Sequence, residues 1–470
     1  MNSHDIALLN VGPNVPRLED GRLLKPPPLG VLALTAFLRQ HGKSVQVLDY
    51  QQNTNLLEEQ LSVSALANYM KAHVTSETLG ISTMGGMLPI VILALQEFKA
   101  DRPDSKIVLG GAGPSNVATD ILRNFPWVDV VVRGEGEETL LRLIESGYPP
   151  HKVAGLSYRQ NGKVLDNPPR ARLQNLDSLP MPAYDQIDMD RYAVANIVTA
   201  RGCPFDCAFC EVSAFWGPRV TMRSLDNVLE EIRYLRQVCG KAQIGISDDN
   251  LILDRARTLE FCQRLLHEEL DIKWECFGRI DLLDEELMVA MTESGCNAIF
   301  FGVESGSDRV LAKIGKNITA DQARLVVRRS LDLFKRVYTS FVWGFPFETL
   351  QEFYDSVLLM IEFAGLGARV QRPFLSLRPG SRLHSEYSQA MAFSEELPLY
   401  FLEVPRQFLP PPVVELVKAF PQIFSGFYYV RGLDFEAKKR FMLNLEAAGE
   451  KRWDILQDRL ITGLGQRLGE

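Results

Sequence analysis

The sequence has few of the residues that build several common kinds of site. Its 470 residues include only seven cysteines and six histidines, too few and too unevenly placed for a disulfide framework. No apolar run approaches the roughly 18 to 20 residues that cross a bilayer, so we expect no membrane span. The opening MNSHD lacks the basic and apolar segments of a secretion signal, and we therefore expect a cytoplasmic protein.

An excess of positive charge is also missing. The formal net charge is -8, which does not favour binding to nucleic acid or to anionic lipid. Apolar residues make up 46% and charged residues 23% of the chain, as in ordinary globular proteins. At roughly 150 residues per domain, the length predicts about three domains.

Residues 1–150 alternate short β-branched segments with helical patterns. The predicted strands end near Leu9, Leu48, Ser82, Leu109 and Val132. Apolar strands that are separated by connections long enough for a helix indicate a parallel, doubly wound, Rossmann-like sheet. Such a sheet binds its ligands beyond the carboxyl ends of its strands.

The rest of the chain divides into three predicted segments. Prolines in residues 151–190 indicate a linker with a small hairpin. Residues 191–390 repeat the strand-helix alternation and predict a partial (β/α)6 barrel, with strands near Ile197, Ile244, Trp274, Ala298, Ser340 and Val370. Ser224 is placed to cap the helix that follows. Two amphipathic segments in residues 391–470 predict a helical C-terminal region.

Three of the seven cysteines lie within eight residues, directly after a predicted strand. Cys203, Cys207 and Cys210 have the spacing C-x3-C-x2-C, which can bind one face of a 4Fe-4S cluster and leave one iron open. An open iron can bind S-adenosylmethionine (SAM) and pass an electron to its sulfonium. The alternatives are incidental clustering or a zinc site, but zinc usually takes four ligands in C-x2-C pairs and no fourth ligand lies nearby.

This cysteine motif, with Phe209 at its aromatic position, resembles the signature of the radical SAM family. Three later segments resemble family elements as well: Asp248 to Asn250, Gly302 to Gly306, and Gly344 to Thr349. The resemblance implies catalytic cysteines and a set of SAM contacts, namely Phe209, Asp248, Arg279, Glu304, Ser305, Lys316, Gly344 and Pro346. Taken singly, these residues are also compatible with helix caps, turns or solvated charges.

Glycine-containing segments in residues 1–150 resemble the cobalamin-binding domains that are fused to radical SAM barrels. They are Pro27 to Gly30, Gly80 to Ser82, Gly110 to Pro114 and Arg133 to Thr139, so that the resemblance extends from about residue 5 to 390. It implies cobalamin contacts at Ile81, Ser82, Gly110, Gly111 and Glu135. A nucleotide-binding sheet is the alternative, but no G-x-G-x-x-G and no phosphate loop is present.

The lower histidine ligand of many cobalamin domains has no counterpart here. The D-x-H-x-x-G element is absent, and none of the six histidines fits its place. Radical SAM relatives commonly lack this element too. The resemblance therefore implies that cobalt is held without a protein imidazole.

The family resemblance implies methylation of an unactivated carbon in a small-molecule substrate. SAM cleavage yields a 5′-deoxyadenosyl radical, cobalamin carries the methyl group, and an electron donor such as flavodoxin or ferredoxin reduces the cluster. Dehydration, cyclisation or rearrangement without methyl transfer is the alternative, and a non-catalytic corrinoid or SAM sensor is a third. Candidates for the substrate pocket are Trp216, Tyr338, Gln371, Arg372, Arg378 and Tyr428, although aromatic residues usually serve packing.

Overall fold

The computed structural model describes residues 4–12, 22–23, 25–53, 62–147, 150–395 and 409–447. These residues form two successive parallel sheets and a helical C-terminal region that contacts both. The predicted α/β architecture, a Rossmann-like domain followed by a partial barrel, is confirmed.

Five parallel strands form the body of the first sheet, in the order β2-β1-β3-β4-β5. All five predicted strands are confirmed: β1 Ile6–Asn10, β2 Val45–Asp49, β3 Thr78–Ser82, β4 Lys106–Gly110 and β5 Val130–Val132. Their apolar residues alternate between two buried clusters, because helices cover both faces of the sheet.

The helices of this first domain follow its strands closely. They are α1 Leu29–Gln40, α2 Tyr50–Asn53, α3 Val63–His73, α4 Leu88–Asp101, α5 Ala112–Ser115, α6 Ala118–Asn124 and α7 Glu137–Ser146. The apolar run from Pro89 to Leu95 lies in the first half of α4, with the proline in the first turn, where its missing N–H costs nothing. Helices α3 and α4 cover one face of the sheet, while α1 and α7 cover the other.

The predicted linker contributes a hairpin to the first sheet. Strands β6 Leu156–Gln160 and β7 Lys163–Asp166 pair antiparallel at the edge of β5. Their two-residue turn, Asn161-Gly162, has φ values of 50° and 75°, as the favoured twist of a tight hairpin requires. Short helical turns follow at Leu176–Ser178, Tyr184–Gln186 and Met189–Arg191. The domain boundaries themselves stay a prediction.

Six parallel strands form the partial barrel, in the order β15-β14-β13-β12-β11-β8. The predicted strands are confirmed as β8 Ala195–Ile197, β11 Gln243–Ile246, β12 Lys273–Gly278, β13 Cys296–Gly302, β14 Arg336–Ser340 and β15 Arg369–Gln371. A separate antiparallel pair, β9 Ala200–Arg201 and β10 Thr221–Met222, lies between β8 and the first barrel helix. It closes the base of the loop that carries the three cysteines.

Helices pack against one face of this sheet and build its core. The helices of this core are α9 Leu225–Gln237, α10 Arg255–His267, α11 Glu285–Glu293, α12 Asp308–Lys313, α13 Ala320–Leu333, α14 Leu350–Gly365 and α15 Arg382–Tyr387. The short helix α8, Val212–Trp216, lies in the cysteine loop, and none of its residues is buried. The Ser224 side chain accepts a hydrogen bond from Asn227 N and caps α9, as predicted. Single helical turns lie at Leu251–Leu253, Ile280–Leu282 and Ser388–Ala390.

The described part of the C-terminal region connects the two domains. Helix α16, Pro411–Ala419, packs on the apolar cluster of the first domain, whereas α17, Phe435–Ala447, packs on the barrel. Between them lie the turn Ser425–Phe427 and strand β17 Tyr429–Val430, which pairs with β16 Met391–Ala392. No helix within the described ranges is both long and apolar enough to cross a membrane.

Candidate active site between the two sheets

The three cysteines lie on one loop at the mouth of the barrel. Gly202 begins this loop with φ +100°, and a Cβ there would lie 2.7 Å from Arg219 O, so a side chain is excluded. Cys210 N donates to Cys207 O at 3.0 Å, and all three thiols are free. Burial raises the pKa of Cys203 and raises that of Cys210 to about 12, and the neighbouring thiols add to both shifts. The three thiols thus belong to one loop, which follows β9 directly.

Two carboxylates after β11 hold the start of the cysteine loop. Asp248 accepts hydrogen bonds from Thr199 N at 2.6 Å and from Ala200 N at 3.1 Å, and Asp249 accepts one from Gly202 N at 3.2 Å. Burial raises the pKa of Asp248 to about 6. These bonds join the ends of two strands, so Asp248 positions the loop, and its predicted SAM contact stays a prediction.

Arg279, directly after β12, supplies positive charge beside the thiols. Its guanidinium lies 3.7 Å from Cys207 Sγ and 3.7 Å from the centroid of the Phe205 ring. An ion pair of 2.9 Å with Asp281 holds it in place. A buried cation near a sulfur favours the thiolate, which is the form that binds iron.

Glu304, after β13, is one of the few non-glycine residues with positive φ, here 71°. Such backbone strain costs on the order of 1–3 kcal/mol and concentrates at functional sites. The carboxylate is buried and lies 3.3 Å from Lys316 Nζ, which also donates to Gly302 O at 2.8 Å. Burial raises the pKa of Glu304, while Lys316 and Arg279 act to lower it.

The turn after β14 lies against the cysteine loop. The Phe209 ring meets Phe345 edge-on at a centroid distance of 6.1 Å, which joins two of the predicted family elements. Gly344 has φ +90°, and a Cβ there would be 2.3 Å from the Phe374 ring. Pro346 O accepts a hydrogen bond from Leu433 N at 3.1 Å, so the C-terminal region covers this turn.

Ser305 faces away from this group. Its hydroxyl lies 3.0 Å from Ser356 Oγ of α14 and accepts a hydrogen bond from Ser307 N at 3.1 Å. These contacts are sufficient to explain a serine here, and its predicted SAM contact stays a prediction.

A cavity of about 390 Å³ lies between the carboxyl ends of the two sheets. Its wall includes all five predicted cobalamin contacts, Ile81, Ser82, Gly110, Gly111 and Glu135, together with barrel residues such as Val198 and Arg201. A Cβ on Gly30 or Gly134, which also line the cavity, would meet no atom within 4 Å. The absence of side chains at these positions keeps the space open for a large ligand.

Two loops of the first domain approach each other backbone to backbone beside this cavity. A Cβ on Gly111 would lie 2.8 Å from Thr83 O, and a Cβ on Gly113 would lie 2.7 Å from Gly85 N. Gly111 also has φ +97°. Glycine is therefore required where the β3 and β4 loops meet.

An ion-pair bridge joins the two domains at the cavity, and sequence reasoning missed it. Arg201, two residues before Cys203, lies 2.8 Å from Glu135 and 2.6 Å from Glu137. All three side chains are at most 15% exposed. The Trp216 ring lies 5.8 Å from the Arg201 guanidinium and 5.2 Å from that of Arg172. The sequence offers two signals for this bridge, an arginine beside the cysteine motif and an acidic segment at residues 135–138. Neither signal shows which residue the other will pair with.

The remaining substrate-pocket candidates lie in different places. Trp216 lines the cavity, and Tyr338 lies on the barrel face opposite the helices. Arg378 pairs with Glu211 at 3.4 Å, next to the last cysteine. Tyr428 is buried in the first domain's apolar cluster, where its hydroxyl donates to Val417 O at 3.0 Å, which fits packing. Gln371 is exposed at the end of β15, close to Arg372 in sequence.

The donor sets fit the cofactors that the sequence implies. Three thiols beside a buried guanidinium suit an iron-sulfur cluster, and the open, glycine-lined cavity suits a corrin.

Comparisons with known proteins agree with both halves of the site. Residues 22–144 match the B12 binding domain and residues 197–360 match the Radical SAM superfamily. A protein of Pyrococcus horikoshii described as an uncharacterized methyltransferase is 34% identical over 334 residues, which are 69% of this chain and 71% of that protein.

A second relative has a different described activity. The anaerobic magnesium-protoporphyrin IX monomethyl ester cyclase of Rubrivivax gelatinosus is 26% identical over 69% of this chain, and the match spans 60% of the cyclase's own length. Among solved structures, the radical SAM methyltransferase TsrM from Kitasatospora setae, with cobalamin and a [4Fe-4S] cluster bound, matches with a TM-score of 0.68 at 17% identity. That match covers 91% of this chain and 84% of TsrM.

The two matched regions thus lie in the two sheet-forming domains of the chain. The chain belongs to the radical SAM enzymes with an N-terminal B12-binding domain, whose cofactors are a 4Fe-4S cluster, SAM and cobalamin.

Proposed function

We propose that this enzyme is a cobalamin-dependent methyltransferase that acts on an unactivated carbon of a small-molecule biosynthetic intermediate. The observation that carries the proposal is the cavity onto which the carboxyl ends of both sheets open, beside the cysteine loop. Radical and methyl transfer must occur close together for methylation to compete with quenching of the radical. The Pyrococcus horikoshii relative, described as a methyltransferase, supports the same activity.

The barrel residues have distinct roles in this proposal. Cys203, Cys207 and Cys210 bind three irons, and Arg279 stabilises their negative charge from 3.7 Å. When bound, the cluster and SAM supply a 5′-deoxyadenosyl radical, and cobalamin supplies the methyl group.

The polar groups after β13 bind SAM in this proposal. Glu304 receives the amino group of SAM, and Lys316, which it pairs with, faces the SAM carboxylate or ribose. Phe209 and the turn at Gly344 and Pro346 lie on the adenine side.

In this proposal the first domain binds cobalamin through main-chain contacts and through the shape of the cavity. Glycines at the ends of β3 and β4 let the corrin approach the main chain, and aliphatic side chains such as Leu8 and Ile81 line the space below it. The described cavity wall contains no histidine, in keeping with cobalt held without an imidazole. A flavodoxin or ferredoxin in the cytoplasm would supply the electron.

A radical cyclase or another rearrangement enzyme is the second candidate. It is favoured by the Rubrivivax gelatinosus relative, which is similar over 69% of this chain and is described as a cyclase. The two candidates differ in one measurable respect, because only the methyltransferase moves a methyl group from SAM into the product.

Anaerobic reconstitution with hydroxocobalamin, followed by incubation with methyl-deuterated SAM, a reductant and a metabolite extract, tests the proposal. We expect a product that is heavier by one labelled methyl. A product without label, formed together with 5′-deoxyadenosine, would support the cyclase instead.

Glu304→Ala tests the SAM site separately. We expect the variant to keep its iron, bind SAM more weakly and form 5′-deoxyadenosine more slowly, because a buried charge-assisted hydrogen bond is removed. Glu293→Ala, on the exposed side of α11, is the matched control. Unchanged SAM affinity in Glu304→Ala would leave Glu304 a structural role only.

A further inference from the structure

The barrel face opposite the helices carries a row of aromatic side chains. Phe277 of β12 is in register with Phe300 of β13, which is in register with Tyr338 of β14. Ring centroids are 5.2 Å apart in the first pair and 6.4 Å apart in the second. We call these three residues the aromatic row.

The aromatic row faces away from the helices that cover the other face of the same strands. Phe277 is 47% exposed, whereas its neighbours Cys276 and Gly278 are buried. Phe300 and Tyr338 are partly exposed. Exposing a phenylalanine forgoes about 1.5–3 kcal/mol of burial free energy. Three adjacent aromatic side chains on a strand face without covering helices are typical of a ligand-binding wall.

An arginine lies at one end of the aromatic row. Arg369 of β15 is in register with Tyr338, donates to its hydroxyl at 3.1 Å and lies 5.5 Å from its ring centroid. Within the described ranges, no carboxylate lies within 4 Å of this guanidinium. The other arginine nearby on this face, Arg336, faces Glu275 at 3.5 Å. Arg369 is therefore the cation of this face that is placed to receive an anion.

The row lies one layer below the residues proposed to serve SAM. Alternate residues of a strand share a face, about 7 Å apart, so Phe277 lies below Arg279 and Phe300 below Gly302. At its other end, Ser247 follows Ile246, the register partner of Cys276, which places Ser247 beside Phe277. Ser247 lines the cavity between the sheets. The row thus extends from the cavity wall across the barrel mouth.

We propose that the aromatic row and Arg369 form the substrate-binding surface and select a planar aromatic compound that carries a carboxylate. The rings stack on the apolar part, and the guanidinium pairs with the anion. This assignment rests on the proposed function, because it places the acceptor carbon between the SAM residues and the cavity.

Binding of 1-naphthoate to the cluster-loaded enzyme, measured by titration calorimetry, tests the assignment, with neutral 1-naphthylmethanol as the matched probe. We expect 1-naphthoate to bind more tightly. Phe277→Ser should weaken binding of both probes about three- to tenfold, since a stacking partner is lost. Arg369→Gln should weaken binding of 1-naphthoate about tenfold and leave binding of 1-naphthylmethanol unchanged.

Matched controls lie on the outer helices. Leu358→Ser removes an exposed apolar side chain from α14, and Arg328→Gln removes an exposed arginine from α13. Both should bind the probes like the wild type. Equal losses in these controls, or wild-type affinity in both row variants, would overturn the assignment.

Formation of 5′-deoxyadenosine from SAM in the same preparations distinguishes a failure of the substrate assignment from a failure of the proposed function. Wild-type enzyme that cleaves SAM but does not prefer 1-naphthoate would overturn the substrate assignment and leave the proposed function standing. Wild-type enzyme that holds its cluster and cannot cleave SAM would overturn the proposed function, and the substrate assignment with it.

Discussion

The two sheets open onto one cavity with opposite kinds of surface. The first sheet contributes glycines and aliphatic side chains, among them Gly30, Ile81 and Gly134. The barrel contributes charged side chains, among them Arg201 and Asp249, and its cysteine loop lies beside them. In the proposed function the first domain provides space and backbone for a large cofactor, while the barrel provides the groups for iron and SAM.

The difference has an energetic basis. Buried charges cost several kcal/mol each unless they are paired. The barrel meets this cost locally, since Arg279 pairs with Asp281 and Glu304 pairs with Lys316. At the cavity, the buried carboxylates of the first domain are Glu135 and Glu137, and both of these pair with Arg201 of the barrel. The predictions below test this division of roles, from the largest expected effect to the smallest.

Replacing Cys203, Cys207 and Cys210 together with Ala should abolish the cluster and leave the first domain intact. We expect iron and sulfide near zero after anaerobic reconstitution, no SAM cleavage, and hydroxocobalamin retention like that of the wild type. Cys239→Ala, which changes a partly exposed cysteine outside the loop, is the control. Unchanged iron in the triple variant would refute the cluster assignment.

Arg201→Met should destabilise the joined domains most strongly among single substitutions at the cavity. It leaves two buried carboxylates without their cation, which typically costs about 3–5 kcal/mol. The free energy of unfolding in urea measures the loss. Arg264→Met breaks an ion pair with the exposed Asp226 and should cost less than about 1 kcal/mol. Similar losses in the two variants would show that the Arg201 bridge contributes no more to the free energy of unfolding than an exposed ion pair does.

Gly30→Phe should weaken cobalamin binding and leave binding of the cluster unchanged. A side chain at residue 30 would enter open space at the cavity wall, so we expect less corrinoid after gel filtration and unchanged iron content. Gln40→Phe, on an exposed position of the same helix, controls for helix stability. Parallel loss of corrinoid and iron would mean that the two sheets do not divide the cofactors as described.

Glu352→Gln should produce a small, pH-dependent loss of stability confined to the barrel. Hydrogen bonds from Arg309, and then from Thr349 and Ser307, lower the pKa of Glu352 to about 2. A lowered carboxyl pKa stabilises the fold above the ordinary value of about 4.3, and this contribution disappears as the pH falls toward 2. We expect a deficit of about 1 kcal/mol in urea at pH 7, typical of a lost cap.

The deficit of Glu352→Gln should shrink below about pH 4, because the wild-type carboxyl then takes up a proton in the unfolded chain. It should vanish near pH 2, where the folded carboxylate is protonated as well. Corrinoid retention at neutral pH should not change, since the hydrogen bonds of Glu352 come from Ser307, Arg309 and Thr349 of the barrel. A deficit that is constant down to pH 2 would contradict the ionic origin.

Much of the architecture was predictable from local sequence patterns. The five strands of the first sheet and the six of the barrel follow from apolar runs with short periods, because strand formation is decided largely by neighbouring residues. The cysteine loop was predictable for a similar reason, since C-x3-C-x2-C places three ligands within one short turn of chain. The glycines of the cavity wall were also visible, as glycine marks close backbone approach.

Long-range partners were not predictable in this way. Asp248 could be named as a site residue, but its bonds to the β8 loop depend on two strands becoming neighbours. The hairpin of residues 156–166 was foreseen, whereas its pairing with β5 was not. Ser305 faces α14 because of the packing of a helix about 50 residues away.

The sequence by itself determined the order of the elements, the three thiols and the family, because each of these is encoded within a few neighbouring residues. Only the tertiary structure decided how Arg201 joins the domains and how Phe277, Phe300 and Tyr338 form one row. The physical reason is that ion pairs and cross-strand contacts form between residues distant in sequence, and the register and packing of the sheets select which residues meet.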